Sequence, residues 1–235
     1  MMDRGRLEAF SDGVFAVAIT LLALDLAVPG PGHGPLLHQL GHRWPVYVAY
    51  AVSFFVIGVL WVNHHSLFGQ IERVDRGLLY ANLVLLLFVV TIPFITTTLA
   101  DSMLAGGQHA RVAAVLYALV MEAMGLSFTL MFAHVVRVGL LATPLTPEAS
   151  RAAILRFGLG TGAYLVAIGV AFVAPPLVLV IAGTITASYI FERVPTGPTG
   201  VQTPGPGDGV GPGAPTPDRP PRLLGQKWPS TGCGA

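Results

Sequence analysis

The sequence predicts an all-α integral membrane body of six transmembrane helices over residues 1–194, followed by a disordered tail over 195–235. Three observations carry that prediction. Of 235 residues only 11% are charged and 53% are hydrophobic, whereas a soluble domain carries roughly 25% charge. Six apolar stretches near the ~20 residues that cross a bilayer core occur before position 194. Ten of the 19 prolines and ten of the 28 glycines crowd into the last 41 residues, where too little apolar surface remains to offset the entropy of ordering the chain.

The same figures exclude several function classes. A net charge of +1 is too small for nucleic-acid binding through a basic surface. Cys233 is the single cysteine, so neither an internal disulfide nor a cysteine metal cage can form. The sequence also has no His-Glu-x-x-His and no Gly-x-Ser-x-Gly, which argues against an enzyme.

The first apolar stretch, 7–28, follows Arg4 and Arg6 and has the position of a secretory signal. It is longer than the usual ~7–15-residue apolar region and carries Asp12 and Asp25, so it reads as a retained helix. The second, 44–68, ends near Trp61, Asn63, His64 and His65; the third, 78–99, contains Asn82 and Pro93; the fourth, 111–136, contains Glu122. The fifth, 152–174, and the sixth, 176–191, are divided by Pro175-Pro176, a pair that cannot continue a helix.

Basic residues then orient the body. With the N-terminus inside, the inner side receives Arg4, Arg6, Arg73, Arg76, Arg137, Arg151, Arg156, Arg193, Arg219, Arg222 and Lys227, and the outer side only Arg43 and Arg111. That bias fits an even number of spans with both termini cytoplasmic.

Asp12 is the conspicuous charge. A carboxylate inside a membrane helix is costly and needs a partner, and the opposite run of the second span puts His64, His65 and the Trp61 indole at similar depth, with Asn82 on the third. At about 100° per residue, Val17, Thr20, Leu21 and Leu24 share a narrow stripe, and Asp12 lies roughly 140° from Val17. Periodicity alone reads such a stripe as lipid contact or packing.

The residues Arg6-Leu7-Glu8-Ala9-Phe10-Ser11-Asp12 resemble the first-helix signature of bacterial members of the transmembrane protein 175 family, relatives of an endolysosomal potassium channel. Trp61, His64-His65, Asn82 and Ile92-Pro93-Phe94 are similar to its second and third helices, and the likeness fades to hydropathy beyond them. The resemblance implies a homotetramer in the cell membrane, with the first helix of each subunit lining a central potassium path. It implies apolar constriction rings at Val17, Leu21 and Leu24, and an interhelical network of Arg6, Phe10, Ser11, Asp12, Trp61, His64 or His65, and Asn82. Val17 is shorter than the family's usual innermost Ile or Leu, which implies a wider throat. The expected permeant ion is K+, passing near the Thr20 hydroxyl; no resident metal or cofactor and no nucleic-acid partner is expected.

No Thr-Val-Gly-Tyr-Gly filter occurs, so selectivity would come from a narrow apolar throat that dewets and penalises the more strongly hydrated ion. The competing reading is a proton-conducting or proton-coupled transporter using Asp12, His64 and Glu122. Glu122 is otherwise expected to bond across to a neighbouring helix. His64 and His65 project about 100° apart and cannot chelate one ion together; His134, His33, His38, His42 and His109 read as surface residues. Gly158 and Gly162 read as a close-packing pair, and Asp25 as either a cation attractor at the outer mouth or a hydrated helix end.

Overall fold

The computed structural model describes residues 3–26 and 34–191, all within the first of two units of the chain, residues 1–197. The tail reading at 195–235, His33 and the side chain of Asp25 lie outside the described residues. Among those described are seven α-helices: α1 (Arg4–Leu22), α2 (Leu36–His42), α3 (Trp44–Gln70), α4 (Arg76–Ala105), α5 (Gly107–Val138), α6 (Pro147–Ala171) and α7 (Leu177–Phe191). A 3-10 turn, Ala23–Asp25, extends α1. Each of the six predicted apolar stretches is mostly helical over its described residues. The short α2 was not among them; it stands between the first and second stretches and starts after Pro35.

Four helices, α3 to α6, are long and apolar enough to cross a membrane. At 15 residues α7 is apolar but shorter, about 22 Å at helical rise. The 19 residues of α1 include Arg4, Arg6, Glu8 and Asp12, so its apolar part is confined to its C-terminal half.

Local chemistry sets the helix ends. The Asp75 carboxylate accepts from the Leu78 amide at 2.7 Å and caps α4, and Thr146 accepts from Ala149 at 3.2 Å to cap α6, with Pro147 in its first turn. Such caps satisfy amides that have no intrahelical partner. Gly106, at φ 71° and ψ −168°, separates α4 from α5, and Gly139, at φ 71°, closes α5 while Leu140 N donates back to Val135 O at 3.0 Å. Only glycine adopts both positive-φ conformations without strain.

The packing order runs α1, α4, α5, α6, α7, α3 and back to α1, with α3 also lying on α4. Leu85, Val89, Ile92, Ile95 and Leu99 of α4 are buried with Ala114, Tyr117, Ala118 and Met121 of α5. Inside this core Tyr117 and Ser53 hydroxyls lie 3.1 Å apart and Ser53 and Thr96 hydroxyls 2.8 Å apart. That relay of hydroxyls joins α3, α4 and α5 without a charge.

Two sequence expectations change here. His134, expected at the surface, places Nε2 at 2.9 and 3.1 Å from the two Asp75 carboxylate oxygens, across the start of α4. Any Cβ on Gly77 would run into the His134 ring. Helix contact at the glycine run is made by Gly160, over which the Tyr189 hydroxyl lies; Gly158 and Gly162 have open space where a Cβ would stand. The reason is phase: Gly160 is about 200° from Gly158 and from Gly162, so only one of the two faces meets α7.

The segment after α3 and the segment after α5 are tied together. Glu72 N donates to Leu140 O and Ala142 N to Gln70 O, each at 2.9 Å. This short bridge and the Asp75–His134 pair therefore brace the same end of the bundle.

Candidate functional site

The buried face of α1 is formed by Leu7, Ser11, Phe15, Ala18 and Leu22, spaced three or four apart as one helix face requires. Ser11 is the polar member. Its hydroxyl donates to Leu7 O at 3.0 Å and accepts from Asn82 Nδ2 at 2.9 Å. Asn82 Oδ1 in turn accepts from His64 Nε2 at 2.9 Å, which fixes the proton on Nε2 because an amide oxygen only accepts.

His64 is enclosed between Phe15 and Phe68, with ring centroids at 5.3 and 4.1 Å. Its Nδ1 is buried without a hydrogen-bond partner, an arrangement that suits a neutral ring, since a second N–H there would be a buried donor with nothing to bond. So α1, α3 and α4 are joined by a line of neutral groups, Ser11, Asn82 and His64.

Asp12 stands one position round the helix and belongs to a different set. The Trp61 indole N–H donates to Asp12 Oδ1 at 2.9 Å. Trp61 stacks on His65 with centroids 5.7 Å apart, and His65 Nδ1 lies 3.1 Å from Glu8 Oε1. The sequence left Asp12 a choice of Trp61, His64, His65 or Asn82; the structure chooses Trp61. His64 is taken by Asn82, and Glu8, which sequence reasoning passed over, receives His65. The signal for Glu8 was present, because it precedes Asp12 by four residues on the same helix face.

Arg6 and Phe10 are exposed and take no part in this network among the described residues. Arg4 does the anchoring instead: its Nη1 donates to Ile71 O at 2.9 Å and Gly69 O at 3.3 Å, tying the start of α1 to the end of α3. Glu122 is half-buried on α5 and its Oε2 is enclosed with no hydrogen-bond partner, so that oxygen makes no cross-helix bond. Hydrogen bonds do not connect Asp12, His64 and Glu122 to one another among the described residues.

On the opposite side, Val17 and Leu21 of α1 and Leu24 of the 3-10 turn that extends it are 53%, 40% and 72% exposed. Thr20 is exposed beside them, its hydroxyl donating to Val17 O at 2.9 Å. The stripe derived from helix phase is therefore open in the single chain, and the packed face lies away from it.

This geometry now meets known proteins. Residues 6–93 match the family described as endosomal/lysosomal potassium channel TMEM175, a stretch that contains α1 from Arg6 onward, α2, α3 and the first part of α4. A potassium channel of Streptomyces collinus is 48% identical over 197 residues, 83% of this chain and 95% of that protein. The chain belongs to the TMEM175 family. The crystal structure of a lysosomal potassium-selective channel TMEM175 homolog from Chamaesiphon minutus superposes on this chain with a TM-score of 0.71 at 35% identity, covering 80% of this chain and 96% of that one. The endosomal/lysosomal proton channel TMEM175 of Gallus gallus is 42% identical over 101 residues, 39% of this chain and 20% of the animal protein. The first-helix resemblance drawn from residues 6–12 thus falls inside the region the family match covers.

Proposed function

We propose that this chain is the subunit of a homotetrameric, passive, potassium-preferring channel in the cell membrane, with α1 of four copies lining a central path. The observation that carries the proposal is the division of α1 into a packed face and an open stripe of Val17, Thr20, Leu21 and Leu24. One open helix cannot enclose a pore; rotational repetition can. The names of the bacterial relatives, potassium channels that match most of their own length, supply the ion.

In this reading α1 and α7 cross the membrane with α3 to α6, and both termini are cytoplasmic. Val17, Leu21 and Leu24 form successive apolar rings, and the Thr20 hydroxyls border the throat. Such rings gate by dewetting, and they penalise Na+, which holds its water more tightly than K+. The Ser11–Asn82–His64 line and the Trp61–Asp12 bond hold the back of α1 against α3 and α4, so the stripe keeps its orientation. Neither resident metal nor cofactor is needed for passive permeation.

The test is ion flux through the purified protein in liposomes, comparing K+, Na+ and H+. Val17→Asn and Leu21→Asn are expected to raise flux and reduce the preference for K+. Wild-type flux and selectivity in both variants would remove the pore assignment, and a monomer in native mass spectrometry would remove the channel.

A further inference from the structure

Beyond ion permeation, we propose that Glu8, Asp12 and His65 form a binding site for a divalent transition-metal ion of the zinc class, bridging the inner end of α1 to α3. One ligand atom from each of these residues lies within 4.8 Å of the other two. Glu8 and Asp12 are one turn apart on α1, so their carboxylates project side by side. His65 meets them from α3, with Nδ1 already 3.1 Å from Glu8 Oε1.

Bonds of about 2.0–2.2 Å in a tetrahedral site put neighbouring ligand atoms roughly 3.3–3.5 Å apart. Closing the cluster onto an ion takes about 1 Å of side-chain movement, and the His65 side chain, 55% exposed, leaves a path from water. Two contacts from Trp61 stand behind the ligands: its indole N–H holds Asp12 Oδ1 at 2.9 Å and its ring stacks on His65. Groups in that position orient ligands and strengthen the site they serve.

The donor set selects the ion. Two carboxylates and one imidazole, with a fourth position left to water, suit Zn2+, Co2+ or Ni2+. Ca2+ takes more oxygen ligands and Mg2+ demands an octahedral shell. Two like charges one turn apart also repel, and a divalent cation between them removes that repulsion. The bound ion replaces the single His65–Glu8 contact with three bonds, fixing α1 on α3 beside the Trp61–Asp12 bond.

The experiment titrates the purified full-length protein with Zn2+, Co2+ or Mg2+, following thermal unfolding and, for Co2+, visible absorption. Wild type is compared with Glu8→Gln and His65→Gln, each first checked for folding by its melting temperature without metal. Saturable Zn2+ and Co2+ binding that raises the melting temperature, with Mg2+ without effect, is expected of wild type. Each variant should bind at least about ten-fold more weakly, and His65→Gln should lose the Co2+ spectrum. Absence of saturable binding overturns the site; so does wild-type affinity in both variants, which would place the metal on other histidines or on Cys233. If one variant does not fold, the other decides. Ion flux is not part of the readout, so this outcome is separable from the fate of the channel reading.

Discussion

The two faces of α1 are made of similar numbers of apolar residues and do opposite things. Leu7, Phe15, Ala18 and Leu22 disappear between α3 and α4, while Val17, Leu21 and Leu24 remain open. The difference lies in what accompanies them. The closed face carries Ser11, which Asn82 binds at 2.9 Å, and is flanked by Asp12, which Trp61 binds at 2.9 Å; the open stripe carries only Thr20, whose hydroxyl is satisfied within its own helix. Polar groups buried against neighbouring helices must find protein partners, so they decide which side of the helix is packed. Hydrophobicity alone does not distinguish the sides.

The comparison breaks hardest at Asn82. Asn82→Leu leaves the Ser11 hydroxyl and His64 Nε2 without their shared partner, and is expected to cost roughly 2–4 kcal/mol, read as a lowered melting temperature in detergent. Next is Gly77→Ala, away from α1 but against the same bundle, where the new methyl meets the His134 ring. About 1–3 kcal/mol is expected, and adding His134→Ala should recover part of it, because the two residues are in contact.

A smaller effect is expected at the open stripe. Leu21→Ala should cost less than about 1 kcal/mol of subunit stability, since the side chain is not packed within the chain. A cost comparable to that of Asn82→Leu would mean that the stripe is core, and the two faces would lose their contrast.

The mildest test is pH. The Leu78 amide, and after it the His134 side chain, hold the Asp75 carboxyl below the usual carboxylate range. A depressed folded value means the stabilisation is present above the unfolded carboxylate value, near pH 4, and fades as pH falls through the folded one. Wild type should therefore lose more melting temperature than Asp75→Asn on acidification below about pH 4. Equal losses in the two proteins would remove the Asp75 contribution.

Much of this was readable in advance. The six apolar stretches became helices because apolar run length and Pro or Gly punctuation are local signals, visible without neighbours. Asp12, Trp61, His64 and Asn82 were legible as a polar group because each is an exception in an apolar run. Their pairing was not legible, since Asp12 had four candidates and separation in sequence says nothing of which side chain turns toward it. Arg6 and Phe10 were drawn into the network by the motif, yet the chain uses Arg4, two residues earlier, because Arg4 reaches the free carbonyls of Gly69 and Ile71 at the end of α3. His134 was unreadable for a related reason: its partner, Asp75, lies 59 residues away.

The sequence by itself determined the all-helical membrane body and the stripe of Val17, Thr20, Leu21 and Leu24, because helix period and apolar length depend only on neighbouring residues. Tertiary structure alone decided that the stripe is open, that Asp12 belongs to Trp61 and His64 to Asn82, and that Glu8 and His65 meet. Those are choices among side chains on different helices, settled by which donor and acceptor arrive 2.9 to 3.1 Å from each other when α1 docks on α3 and α4.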